Sequence, residues 1–113
     1  MATIKSYTDI EQSKKLAEIL PLESADMYWW STSLRYYIEA MDDGDFNEEG
    51  DVRAWSLAAL LSVLPRETRL LKSATDDIFY HIDCPKGNVD EWFDNPVDAC
   101  YELILKLNEL KML

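Results

Sequence analysis

Four groups of residues could do chemistry: an acidic tract, a single histidine, two cysteines and a cluster of aromatic rings. From Asp42 to Asp51 the chain reads Asp-Asp-Gly-Asp-Phe-Asn-Glu-Glu-Gly-Asp. Counting Glu39, seven acids and no base fall in residues 39–51, which puts −7 of the net −11 into that stretch. Such a tract invites a calcium ion. Aligned on Asp43, the first, third and fifth positions of an EF-hand loop are the oxygen donors Asp43, Asp45 and Asn47. The sixth position needs a glycine for the sharp turn but is Glu48, and the twelfth, the bidentate glutamate, is Ala54. A solvated acidic patch of Asp42, Asp43, Asp45, Glu48, Glu49 and Asp51 is therefore expected, with weak cation binding as the alternative and no dedicated metal site.

His81 is the only histidine, which rules out a histidine-pair zinc site within the chain. On a strand it shares a face with Asp83, so a general-base pair is conceivable. No motif supplies a nucleophile beside it, and a solvent-side imidazole is the expected state. Cys84 and Cys100 lack C-x-x-C spacing and read as two buried thiols in a reducing compartment. No nucleophile elbow, phosphate-cradling loop or dinucleotide fingerprint occurs, and three glycines leave little to build one from. Arg66, Arg69 and Lys72 form a short basic interval, expected to pair with nearby acids. No cofactor is expected.

The aromatic group is Tyr28, Trp29, Trp30, Tyr36 and Tyr37, with Trp92 further on. Adjacent Trp29 and Trp30 on a strand must take opposite faces. One is expected to enter the core, and the other to lie partly exposed beside a tyrosine, the anatomy of a binding hot spot.

The elements that must position these residues follow from punctuation and periodicity. A first helix is expected from Thr8, with Thr8 as cap and Glu11 completing a capping box. Ile10, Leu16, Ala17 and Leu20 give it an apolar stripe, and Pro21 stops it. Met27–Trp30 and Leu34–Met41 read as a hairpin joined by Ser31-Thr32-Ser33. The stripe Leu34, Tyr37, Ile38, Met41 also suits a helix, and β-propensity favours the strand. A second helix is expected from about Asp51 to Leu64. It is apolar on nearly every side and so should be the central one, burying Trp55, Leu60 and Leu61 between the sheet and the last helix. Arg69–Lys72, Ile78–Cys84 and Val89–Phe93 read as strands. Ile78, Tyr80, Ile82 and Cys84 face one way, and Phe79, His81 and Asp83 the other. A last helix begins at the Asn95 cap with Pro96 in its first position and Asp98 in its first turn. Cys100, Leu103, Ile104, Leu107 and Leu110 make its buried stripe. The order α-β-β-α-β-β-β-α implies an α+β fold, with three helices and a mainly antiparallel sheet of about four to five strands.

At 113 residues, with 48% hydrophobic side chains, the chain is expected to be one domain, residues 1–113, with a real core. No apolar run nears the roughly 18 residues of a membrane span, and Leu57 to Leu64 is cut by Ser62 and stopped by Pro65. Met1 to Tyr7 lacks a signal peptide's order, so a cytoplasmic, non-membrane protein is expected. The net charge of −11 argues against direct binding of nucleic acid, whose phosphates demand Lys and Arg.

Three segments carry a resemblance: Ala25-Asp26-Met27-Tyr28; Ala54-Trp55-Ser56-Leu57-Ala58-Ala59-Leu60-Leu61 through Leu64-Pro65; and Asp94-Asn95-Pro96-Val97-Asp98-Ala99-Cys100. Together they resemble a family of small uncharacterised proteins of gut bacteria and their phages or mobile elements. The resemblance spans Ala25 to Leu113. It rests on core and capping residues, so it implies a fold and no activity. The expectation is a non-enzymatic protein-interaction module of unknown partner, self-associating as a homodimer in one form, through the aromatic sheet face. The alternative is an acidic decoy that binds a basic nucleic-acid-binding protein. An enzyme ranks last.

Overall fold

In a computed structural model the described residues are 6–32, 35–41, 50–73 and 79–113. Helix α1 spans Ile10–Ala17 and is capped by Asp9, not Thr8. The Asp9 carboxylate accepts from the Gln12 amide at 2.8 Å, and the Gln12 side chain accepts from the Asp9 amide at 3.2 Å. This is the capping box one residue later than the sequence suggested. Thr8 is unavailable because it is fully buried and already committed. Its amide donates to Trp55 O at 2.9 Å, and its hydroxyl accepts from Trp55 N at 3.1 Å and meets Ser13 Oγ at 2.7 Å.

After a 3-10 turn at Leu22–Ser24 come strands β1 (Met27–Ser31), β2 (Tyr36–Ala40) and β3 (Val52–Ala54). They form an antiparallel sheet in the order β2-β1-β3. Trp30 lies opposite Tyr37 and Trp29 opposite Ile38, so 36–40 is the strand and not the helix. Leu34 falls outside the described residues, as does Ile78.

The second helix differs from expectation. Val52, Arg53 and Ala54 pair with Trp29, Tyr28 and Met27, so the first part of the expected helix is β3. Helix α2 runs only over Leu57–Val63. Ser56 starts it, because its hydroxyl accepts from Ala59 N at 3.2 Å. Asp26 in turn accepts from the Ser56 amide at 2.8 Å and from the Ser56 hydroxyl. Val52 and Trp55 fit a helical stripe by spacing, yet β-branched Val52 serves β1 and Trp55 is the buried corner beyond it. Trp55 and Leu60 are wholly buried as expected, but Leu61 is 38% exposed.

Strands β4 (Arg69–Lys72), β5 (Tyr80–Cys84) and β6 (Gly87–Asn88) make a second antiparallel sheet in that order. The expected strand Val89–Phe93 is not continuous. Asn88 pairs with Asp83, and Phe93 with Tyr80 through bonds of 2.7 and 2.8 Å. Five residue steps from 88 to 93 thus answer three from 83 to 80, so the two extra residues fall within 89–92. The fold is α+β, with six strands in two sheets among the described residues rather than four to five in one.

Helix α3 (Pro96–Glu109) begins as expected, with Asn95 Oδ1 accepting from Asp98 N at 2.8 Å. It takes the central position expected of α2. Val97, Ala99, Cys100, Leu103, Ile104 and Leu107 are all fully buried, and they share one core with Leu16, Trp55, Leu60 and Ile82. Gln12 Nε2 donates to Asp98 Oδ1 at 2.8 Å and so joins the starts of α1 and α3. No helix of the described residues is long and apolar enough to cross a membrane.

Burial separates two neighbouring leucines. Leu60→Ala should cost about 2–5 kcal/mol and Leu61→Ala under about 1 kcal/mol in denaturant midpoints. Equal losses would mean that α2 is buried on both sides. Asn95→Ala should cost about 1 kcal/mol, because the Asp98 amide loses its acceptor.

Candidate functional site

The β1–β2 ribbon brings the aromatic residues together. On one face Trp30 stacks on Tyr37, with centroids 4.5 Å apart and planes inclined by 22°. The Arg35 guanidinium carbon lies 4.6 Å from the Tyr37 ring centre, a cation–π contact that extends the stack. The indole N–H of Trp30 is shielded from solvent and has no hydrogen-bond partner among the described residues. Tyr28 shares this face but is only 2% exposed, and its hydroxyl donates to Glu39 at 3.0 Å. It supports the surface from within. Tyr36, on the opposite face, is 44% exposed.

Trp29 also takes that opposite face, as alternation requires. Its Nε1 donates to Thr8 O at 3.0 Å, and Tyr7 meets its ring edge-on at 5.7 Å. Trp30 is half-buried beside a tyrosine of the neighbouring strand, as expected, but Trp29, expected to enter the core, is half-buried as well. The N-terminal segment covers Trp29, and the cross-strand stack covers Trp30. A shallow depression of about 390 Å³ runs past Tyr7, Trp29, Trp30, Arg35 and Tyr37.

The ladder fixes which amides of β2 face outward. Met41 N bonds Asp26 O, and Thr32 N bonds Arg35 O. In an antiparallel pair these contacts alternate, so Tyr37 and Glu39 bond toward β1. Tyr36, Ile38 and Ala40 turn their N–H and C=O groups away from it. No hydrogen bond to those outward groups occurs among the described residues.

The other candidates separate. Asp42, Asp43, Asp45, Glu48 and Glu49 lie outside the described residues, while Asp51 is half-buried just before β3. Among the described residues no three metal-ligating side chains cluster. His81 and Asp83 do share a face of β5, but Asp83 accepts from Arg69 Nε and Nη2 at 3.1 and 3.3 Å. The His81 ring instead packs 5.2 Å from Trp92. Trp92 is 54% exposed, Leu71 45% and Phe79 39%, a second apolar patch on the outer face of the second sheet. The alternation of Phe79, His81 and Asp83 already pointed there. Arg35 is a site residue the sequence analysis does not single out, although its spacing from Tyr37 and Glu39 puts all three on one face.

Both cysteines are free and buried. Cys84 donates to Gly87 O at 3.2 Å. Burial pushes the Cys100 thiol from 9.0 up to about 12, which lowers its thiolate population about a thousandfold near neutral pH. Alkylation at pH 8 should reach Cys100 only as the protein unfolds. Rapid labelling of the native protein at Cys100 would contradict its burial.

Comparison with protein-family models, curated proteins and solved structures finds no match to this chain.

Proposed function

We propose that the chain is a non-enzymatic protein-interaction module that binds through the β1–β2 ribbon. The observation that carries this reading is the stack of Trp30, Tyr37 and Arg35, with Tyr36 exposed on the opposite face of the same ribbon. Tryptophan, tyrosine and arginine dominate binding energy because each offers a large rigid or planar surface that loses little entropy on docking. The unpartnered indole N–H adds a donor whose isolation costs about 1–3 kcal/mol, so an arrangement that gave it an acceptor would be favoured.

A second reading draws on charge. Seven acids in residues 39–51 would attract a basic nucleic-acid-binding protein and occupy its phosphate-binding surface. The two readings differ in salt dependence. Decoy binding should weaken steeply between low and high salt, whereas an aromatic interface should change little.

Tyr36→Ala should leave the denaturant midpoint within about 1 kcal/mol of wild type, because this ring is exposed. The same change should weaken association by about 2 kcal/mol or more, read by sedimentation or calorimetry. Association unchanged by both Tyr36→Ala and Tyr37→Ala would remove the ribbon from the binding surface.

A further inference from the structure

Resting on that reading of the ribbon, we infer that its partner is a second copy of this chain, joined by antiparallel pairing of β2 with the partner's β2 across a twofold axis. Two three-stranded sheets would become one of six strands.

Among the described residues nothing pairs with this edge. Tyr36, Ile38 and Ala40 present outward amides with no bond among the described residues. Tyr-Tyr-Ile-Glu-Ala is rich in strand formers and contains no proline, glycine or lysine. The opposite side of this sheet is different. Just past β3, the backbone of residues 6–8 pairs with 55–57 through Thr8 N to Trp55 O and Leu57 N to Ser6 O. In the second sheet, the edge strand β4 is flanked by Arg69 and Lys72, charges that discourage pairing.

Charge selects the register. Outward amides must meet outward amides, and of the twofold registers that do so the two centred within the strand put Ile38 opposite the partner's Ile38 or Tyr37 opposite the partner's Tyr37. The first sets Arg35 against the partner's Met41 and Glu39 against the partner's Tyr37. The second sets Arg35 against the partner's Glu39 and Glu39 against the partner's Arg35, two opposite-charge pairs that complement each other across the axis. It places Tyr36 beside the partner's Ile38, giving about four new backbone bonds from the two such pairs against about six in the first register, so the charge pairs decide the choice. Tyr37 meets the partner's Tyr37 on the axis, which prolongs the Trp30–Tyr37 stack into the second copy.

The test is sedimentation of the full chain over low to high micromolar concentration, with circular dichroism to confirm folding. Wild type should dimerise. Ile38→Pro removes an outward amide that makes no bond to β1 and should weaken dimerisation about 30-fold or more. Arg35→Glu should weaken it about tenfold by opposing like charges, and Arg35→Glu with Glu39→Arg should recover most of the loss. Trp92→Ala should change nothing. A wild type that stays monomeric at high micromolar concentration overturns the inference and leaves the ribbon to a foreign partner. So does a dimer untouched by folded Ile38→Pro, a swap that fails to recover, or a dimer lost on Trp92→Ala. A dimer lost on Tyr36→Ala but kept in Arg35→Glu and Ile38→Pro overturns edge pairing while the aromatic surface stands.

Discussion

The backbone and hydroxyl of Thr8, closed onto Trp55, hold the first sheet to the helical core. Trp55 follows β3 directly and precedes α2 by two residues, so it is the corner at which the chain leaves the sheet for the core. Its indole is wholly buried, and its Nε1 donates to Ser24 at 2.9 Å. Its amide and carbonyl are both consumed by Thr8, at 3.1 and 2.9 Å. A buried peptide group must find partners or cost free energy, and here one residue satisfies both. Thr8 O also accepts from Trp29 Nε1, so the same residue fixes the back of the aromatic ribbon. Asp26, just before β1, holds Ser56 and so closes the corner from the other side.

Everything functional in the proposal depends on that rigidity. The rings of Trp30 and Tyr37 are held in place before any partner arrives, because β1 is paired on both sides and Trp29 is pinned behind it. Ordering a mobile aromatic surface would consume part of the binding energy, and a surface already ordered keeps it. α3 supplies the mass of the core, and its bond from Gln12 to Asp98 anchors α1 beneath the segment that carries Thr8.

Features of short range were legible in the sequence, and features of long range were not. The cap and stripe of α3 are local, and Asn95, Pro96, Leu103 and Leu107 act as their spacing implied. The alternation of β5 and the hairpin of β1 and β2 were likewise readable. β3 was misread because Val52 and Trp55 satisfy a helical period, while the partner that makes 52–54 a strand lies twenty-odd residues earlier. A hydroxyl before a helix usually caps it, which is why the sequence points to Thr8. Its long-range bonds to Trp55 outcompete that role and leave it to Asp9. At the candidate site the sequence points to Tyr28, Trp29, Trp30, Tyr36 and Tyr37 as one group, of which Tyr36 alone is exposed. The burial of Tyr28 follows from its face of the sheet and its bond to Glu39, which only register reveals.

Hydrogen exchange on wild type and Thr8→Val tests the role of that corner most directly. Valine keeps the volume and removes the hydroxyl, leaving the Trp55 amide without an acceptor, at a cost of about 1–3 kcal/mol. The β1 amides of Tyr28 and Trp30 should then exchange about 5- to 100-fold faster, and at least as much faster as those of Leu103 and Ile104 in α3. Unchanged protection in β1 would show that the first sheet is held by something other than Thr8 and Trp55.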